Sequence, residues 1–235
     1  MSEVRDNLSA VAGKIAVACM RANRDVNSVE LIAVSKAISV ASVREAFEAG
    51  QLHFGESKVQ EAAPKIEDLP SLLHWHYIGR VQRNKVRKLL QTFEVIHAID
   101  SLRLAVFANE VARELGLYPK IFLQVNIGQE ASKGGFEPEA LRAEMESLLT
   151  LDRLEIIGLM CIPPVGPDSE SARPWFAALR KIRDTMEIEF RVKLPSLSMG
   201  MSGDFEVAIE EGATHVRVGS AIFGKRAYRV DGELG

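Results

Sequence analysis

The chain lacks the marks of a secreted, membrane-spanning or nucleic-acid-binding protein. Its 235 residues include only two cysteines, Cys19 and Cys161, which are too far apart and too few for a disulfide framework or a metal cluster. No apolar stretch approaches the roughly 18 residues of a membrane span, and the N-terminus MSEVRDNLSAVAGK is too charged for a signal peptide. A net charge of -3 gives no general attraction to nucleic acid or anionic membrane. We therefore expect a cytoplasmic protein with reduced thiols.

The order of apolar and amphipathic segments predicts an α/β fold. Hydrophobic residues make up 47% of the chain and charged residues 26%, which suits a globular protein with a sizeable core. Residues 3–23 have helical periodicity, and after them short apolar runs alternate with helical patterns. The predicted strands are Glu30–Ser35, Leu52–Gly55, Trp75–Gly79, Val95–Ile99, Ile121–Ile127, Ile156–Ile162, Leu194–Ser198 and Thr214–Gly219.

Eight strands joined by helical crossovers leave two main topologies. They can close into a (β/α)8 TIM barrel with an extra N-terminal helix, or form an open doubly wound sheet. The open sheet calls for a glycine-rich loop after the first strand, and the sequence there is SKAIS. No composition break marks a linker. We therefore predict one barrel domain over residues 1–235.

Lys36 follows the first predicted strand, whose core is Leu31-Ile32-Ala33-Val34. An ammonium group at the end of a buried strand is costly unless it has a partner or a chemical role. A desolvated lysine becomes an amine nucleophile suited to Schiff-base chemistry. The alternative is a side chain that extends into solvent. In a barrel, however, functional residues gather where strands end, and Lys36 lies at such an end.

Two small-residue turns follow the last two predicted strands. SMGMSGD leads from strand 7 into a helix, and VRVGSAIFG contains the end of strand 8. Glycine lets main-chain N–H groups approach a ligand closely, and barrels often bind phosphate at this place. The same glycines also suit tight turns without a ligand. A lysine, a phosphate site and the strand-end Arg217 together suggest pyridoxal 5′-phosphate (PLP).

The chain resembles the PLP homeostasis protein family, whose barrel is similar to the N-terminal domain of alanine racemase. The resemblance runs over roughly residues 5 to 228. It is carried by the segments LIAVSK, HFGESKVQEAAPK, LHWHYIGRVQRNK, VNIGQEASKGGF, IIGLMCIPP and LSMGMSGDFEVAIEEGATHVRVGSAIFGKR. It implies a (β/α)8 barrel of the alanine racemase N-terminal type.

The resemblance also implies roles for particular residues. Lys36 is expected to hold PLP as an internal aldimine, and Arg217 to lie beside the pyridine nitrogen. The phosphate-binding residues it implies are Ser202, with Ser198 nearby, and the Gly219–Ser220 turn. Ser57 stands where the family usually has asparagine; its shorter side chain implies contact with the cofactor through a water. No metal ligands and no catalytic residues are predicted.

The family resemblance implies a PLP carrier that donates the cofactor to PLP-dependent apo-enzymes. The alternative is an amino-acid racemase of low activity. Alanine racemase uses a tyrosine from a second domain, and we cannot place Tyr77 opposite Lys36 from the sequence. Without that second domain we expect a monomer. The protein is therefore expected to hold PLP rather than to turn over substrate.

Other polar residues receive structural interpretations. The basic segment from Arg80 to Lys88 places Arg80, Arg83 and Arg87 on one helical face, and we expect a solvated surface without nucleic-acid binding. Lys133 is expected to be a loop residue near the site. The pair His74 and His76 shares one face of a strand and lacks an evident third ligand, so packing or hydrogen bonding is expected. Met160, Met199 and Met201 are expected to pack the barrel.

Overall fold

A computed structural model describes residues 2–130 and 134–224. Lys133 and Tyr228 lie outside these described residues. Eight strands alternate with helices along the chain. The strands are β1 (Glu30–Val34), β2 (His53–Glu56), β3 (His74–Tyr77), β4 (Val95–Ile99), β5 (Lys120–Gln124), β6 (Glu155–Met160), β7 (Ser196–Met201) and β8 (His215–Val218). The helices are α1 (Glu3–Arg21), α2 (Val40–Glu48), α3 (Val59–Asp68), α4 (Val86–Thr92), α5 (Leu102–Leu115), α6 (Pro138–Leu149), α7 (Arg173–Phe190), α8 (Phe205–Glu210) and α9 (Ser220–Phe223).

The strands are parallel and close into a barrel in the order β1 to β8, with β1 paired to β8. This confirms the predicted TIM barrel and excludes the open doubly wound sheet. The prediction of β4 matches the observed bounds, and the other predicted strands are shifted at one or both ends. The largest change is in β7, which continues through the glycine-containing SMGM. Gly200 makes this possible, since its φ is +92° and a Cβ there would lie 2.6 Å from Ala208 Cβ.

Helix α5 begins and ends at residues typical of helix caps. Ser101 caps α5 by accepting a hydrogen bond from Leu104 N, and Gly116 ends the same helix with a φ of +68°. Helix α1 is amphipathic as predicted, with its apolar face buried at Leu8, Val11, Ile15, Ala18 and Cys19. None of the described helices is long and apolar enough to cross a bilayer.

The interior of the barrel is unusually polar. Barrel interiors are normally filled by branched aliphatic side chains, yet here the rings of His97 on β4 and His215 on β8 lie 6.1 Å apart across the barrel. Phe122 on β5 stacks on His97 with 4.4 Å between ring centroids. Burial, followed by the neighbouring imidazoles, lowers the pKa of His76 and His97 well below the usual value. Both imidazoles are therefore neutral at pH 7.

Candidate cofactor-binding site

Lys36 lies two residues beyond β1, at the end of the barrel where the strands terminate. Its side chain is half-buried. The turn places Ala37 in a left-handed conformation with a φ of +60°. Helix α3 fixes the main chain on both sides of Lys36: Lys65 Nζ donates to Ser35 O at 2.8 Å, and Ala37 N donates to the carboxylate of Glu61. The backbone that carries Lys36 is therefore held in one position.

Lys65 belongs to a buried ionic network beneath this turn. Its side chain is 5% exposed and that of Glu56 is 0% exposed, and Lys65 Nζ lies 2.7 Å from Glu56 Oε1. Ser35 Oγ donates to the same carboxylate at 2.7 Å. Burial raises the pKa of Glu56, and the contact with Lys65 partly offsets this. Lys65 thus serves as the counter-ion of Glu56.

Arg217 lies inside the barrel on β8, the strand that pairs with β1. It is opposite Ile32 in the strand register and is 5% exposed. Arg217 Nη1 donates to Ser198 Oγ, and Nη2 donates to Cys161 O at 2.9 Å. Burial lowers the pKa of Arg217, but a guanidinium remains protonated in proteins. The structure therefore holds a fixed cation on the strand next to the one that leads to Lys36.

Ser198 lies below the surface of the site. Its side chain is fully buried, and its hydroxyl contacts both Arg217 Nη1 and His97 Nδ1, the latter at 2.8 Å. The expectation was that Ser198 would lie near the phosphate-binding turn with Ser202. The structure instead places its hydroxyl between the guanidinium and an imidazole, because residues of β7 that point inward meet β4 and β8 inside the barrel.

The two predicted turns after β7 and β8 are joined by one serine. Ser202 Oγ accepts hydrogen bonds from Gly219 N at 3.1 Å and Ala221 N at 3.4 Å. Ser220 is exposed and begins α9, where the first N–H groups lack intrahelical acceptors. Ser202, Gly219 and Ser220 thus lie close together, and the Ser202 hydroxyl, which accepts both bonds, keeps its own proton to donate. Their predicted contact with the phosphate stays a prediction.

Ser57 follows β2 directly and is half-buried. Its main chain packs against Gly79 after β3, where an added Cβ would lie 2.5 Å from Ser57 O. Only glycine fits this close approach. The structure therefore places Ser57 at the same end of the barrel as Lys36, on the neighbouring strand. Its predicted contact with the cofactor stays a prediction.

Three supporting residues were not predicted from the sequence. Lys65 and Glu61 hold the turn at Lys36, and His97 contacts Ser198 beneath Arg217. The spacing of Glu61 and Lys65, four residues apart on a helix, was a usable signal for an ion pair. His97 carried no such signal, because its partners come from distant strands.

The basic segment differs from the prediction in one respect. Arg80 lies in the loop before the helical turn Arg83–Lys85, so it does not share a helical face with Arg83 and Arg87. Arg83 stacks over Phe107 at 4.3 Å, and Arg87 pairs with Glu114. Arg83 and Arg87 therefore both contact side chains of α5.

The methionine and tyrosine predictions are partly confirmed. Met160 and Met199 are buried, but the prediction for Met201 was wrong, since it ends β7 at 38% exposure. Tyr77 points away from the barrel interior, packs against Phe93 and donates to Arg80 O at 3.1 Å. These contacts do not place Tyr77 opposite Lys36, as acid–base chemistry on both faces of a substrate would require.

Comparison with known proteins defines the class of this barrel. The family model for the alanine racemase N-terminal domain matches residues 7–227. The alanine racemase structure from Bartonella henselae has a TM-score of 0.74 at 16% identity, over 95% of this chain and 59% of that one. At that identity the likeness shows the fold alone. The chain is thus a barrel of the alanine racemase N-terminal type.

Closer relatives define the family. The pyridoxal phosphate homeostasis protein of Aquifex aeolicus is 44% identical over 224 residues, which are 95% of this chain and 98% of the relative. The structure of PipY from Synechococcus elongatus with PLP bound is 40% identical with a TM-score of 0.82, over 94% of this chain and 100% of that one. The chain belongs to the pyridoxal phosphate homeostasis protein family.

Proposed function

We propose that this protein binds PLP covalently through Lys36 and serves PLP homeostasis by holding the cofactor and releasing it to PLP-dependent apo-enzymes. The observation that carries the proposal is the clamp on the Lys36 turn, in which Lys65 holds Ser35 O and Glu61 holds Ala37 N. These two hydrogen bonds fix the backbone from which the Lys36 side chain extends. A covalent attachment point requires such a fixed position.

The residues present fit PLP at three of its polar groups: the aldehyde, the phosphate and the ring nitrogen. PLP supplies an aldehyde that condenses with a primary amine, which Lys36 offers at the end of β1. The Ser202 hydroxyl and Ser220 at the start of α9 are donors suited to a phosphate. Arg217 offers a fixed donor to the ring nitrogen, at a position held by Ser198 and Cys161 O. The name of the Aquifex relative and the PLP-bound PipY structure support the same assignment.

The choice of arginine favours holding the cofactor over reaction with it. A guanidinium is always a donor, so Arg217 leaves the ring nitrogen beside it unprotonated. An unprotonated ring withdraws electrons poorly and does little to promote loss of a substrate proton. Ser198 strengthens this effect because it anchors the guanidinium in a buried position. The arrangement therefore suits a carrier better than a racemase.

The candidate site residues all come from one barrel, so the proposal requires only one chain. We propose that the protein acts as a monomer in the cytoplasm, where its partners are PLP and the apo-enzymes that accept it.

A transfer experiment tests the proposal. Loaded protein, freed of unbound PLP, is mixed with an apo-enzyme whose activity reports the cofactor. The parent and a Lys58→Ala control, altered at an exposed lysine of the same region, are expected to restore activity; Lys36→Ala is expected to restore none. Equal transfer by Lys36→Ala would overturn the proposal. Robust formation of D-isomers from L-amino acids by the pure protein would instead support the racemase alternative.

A further inference from the structure

A cluster of histidines and one glutamate lies at the opposite end of the barrel from Lys36. Glu30 begins β1, His53 begins β2 and His215 begins β8, and His76 lies on β3. Glu30 is opposite His215 in the strand register, and His76 is opposite Gly55. Four consecutive strands of the closed barrel therefore contribute one polar side chain each to the same place.

The atoms of this cluster have the spacing of metal ligands. Glu30 Oε1 lies 3.3 Å from His53 Nδ1, 3.6 Å from His76 Nε2 and 3.4 Å from His215 Nε2. His53 Nδ1 and His76 Nε2 are 3.1 Å apart. A tetrahedral zinc ion about 2.0–2.1 Å from each ligand separates its ligand atoms by about 3.3 Å. The separations among Glu30, His53 and His76 match that value without rearrangement of the backbone, whereas His215 is close to Glu30 alone.

The carboxylate of Glu30 carries an independent sign of a missing ligand. Within the part of the chain that the structure describes, Glu30 Oε1 is buried and has no hydrogen-bond partner. The three imidazole nitrogens around it are within ion-pair distance, but none donates a hydrogen bond to it. A buried oxygen without a donor is unfavourable and calls for an explanation. A cation bound between Glu30 Oε1 and the imidazole nitrogens would explain why this oxygen lacks a donor.

The proposed site also has a hydrogen-bond partner for a histidine nitrogen that does not face the ion, and it is accessible from a cavity. His76 Nδ1, on the side of the ring away from the proposed ion, contacts His97 Nε2 at 3.0 Å. Such partners orient metal-bound imidazoles through the ring nitrogen that does not bind the metal. A cavity of about 730 Å³ is lined by Glu30, His53, His76 and His215. An ion can therefore enter from this end of the barrel.

We propose that Glu30, His53 and His76 bind a zinc ion at the N-terminal end of the barrel, and that water from the adjoining cavity completes its coordination. Imidazole with carboxylate is a ligand set that zinc prefers, and two histidines with one glutamate form an established zinc-binding combination. The ion joins three neighbouring strands, β1, β2 and β3, so it stabilises the barrel at the end away from the PLP site. The sequence analysis expected packing or hydrogen bonding for His74 and His76, and the structure shows these hydrogen bonds and also places Glu30 and His53 beside His76.

The test uses the full chain, free of any histidine tag, after treatment with a chelator and in both PLP-free and PLP-loaded forms. Zinc binding is measured by calorimetry, and cobalt serves as a spectroscopic probe of tetrahedral coordination. We expect one zinc per chain, a visible cobalt spectrum typical of tetrahedral sites, and a higher Tm with zinc. The absence of one-to-one binding by the parent would overturn the proposal.

Variants separate this site from adventitious binding. His53→Ala and Glu30→Gln are each expected to weaken zinc binding at least about tenfold and to remove the Tm increase. Glu155→Gln is the matched control, since Glu155 begins β6 and lines the same cavity but lies outside the proposed ligand group. It should bind zinc as the parent does. Unchanged affinity in folded Glu30→Gln, or an equal loss in Glu155→Gln, would contradict the assignment.

Discussion

Lys65 on α3 holds the main chain at Ser35, the residue before Lys36, through a hydrogen bond of 2.8 Å from Nζ to the carbonyl oxygen. The same ammonium neutralises Glu56, whose side chain is completely buried. One residue therefore supports both the stability of the barrel and the position of the proposed PLP attachment point. This double role leads to the first prediction.

Lys65→Met should lower the free energy of unfolding by about 3–5 kcal/mol, because it leaves the Glu56 carboxylate buried without its counter-ion. The measurement is urea denaturation at pH 7. Lys58→Met changes a nearby exposed lysine and should cost no more than about 0.5 kcal/mol. Adding Glu56→Leu to Lys65→Met should recover part of the loss. A Lys65→Met effect below about 1 kcal/mol would show that the pair matters little to the fold.

Ser198→Ala should loosen the position of the Arg217 guanidinium, because it removes the hydroxyl that lies between the guanidinium and His97 Nδ1. The loss of these buried partners should lower stability by about 1–3 kcal/mol. It should also shift the absorbance band of bound PLP, because Arg217 is the proposed partner of the ring nitrogen. Denaturation and absorbance spectra check both effects. Ser220→Ala, at an exposed position, should leave stability unchanged. An unshifted spectrum in Ser198→Ala would argue that Ser198 does not hold Arg217 in position.

The sequence predicted the fold more completely than the site. Apolar runs and helix caps depend on neighbouring residues, so β4 and the capping of α5 by Ser101 were predictable from local patterns. The Ser202–Gly219 contact was anticipated because barrel turns 7 and 8 recur as an anion site. The predicted end of β7 was wrong because Gly200 was interpreted as part of a turn. In the structure Gly200 has a positive φ but lies within the strand.

Contacts across the barrel could not be predicted in the same way. His53, His76 and His97 lie on three strands and meet only because closure sets the strand register. Each histidine alone fits an ordinary packing role. Likewise, nothing local to Lys65 indicates that its ammonium reaches Ser35 O, 30 residues earlier in the chain. The supporting residues of both proposed sites therefore required the structure.

The cysteines should be unreactive in the folded protein. Cys161 is fully buried, and burial raises the pKa of its thiol to about 12; burial also raises the pKa of Cys19. Because the thiolate is the reactive form, a thiol reagent at about pH 8 should label neither residue quickly. Denaturant should release both thiols for reaction. Rapid labelling of the native protein would show that the barrel opens readily or that these positions are accessible.

The metal-free protein should lose stability in mild acid. Burial lowers the pKa of His53 and His215 to about 4, whereas an unfolded histidine takes up a proton near pH 6.5. Between these values the unfolded state binds more protons, so the free energy of unfolding falls as pH falls, by up to about 1.4 kcal/mol per pH unit for each histidine. Glu30 and Glu56, whose pKa values burial raises, oppose this trend.

Urea denaturation in the presence of a chelator at pH 7 and pH 5 measures the net effect. The histidines should dominate, because the pKa values of His76 and His97 are shifted in the same direction. His53→Ala removes one titrating group and should show a shallower dependence on pH than the parent. Equal or greater stability at pH 5 than at pH 7 would mean that the glutamates outweigh the buried imidazoles.

The most direct test of the central claim is borohydride reduction of the PLP-loaded protein followed by peptide mass spectrometry. Reduction makes the bond between the cofactor and an amine permanent, so the modified lysine can be identified. We predict one pyridoxyl phosphate group per chain, located on Lys36 and absent from Lys36→Ala. Stoichiometric label on a different lysine, or an unchanged level of specific label in folded Lys36→Ala, would contradict the assignment of Lys36.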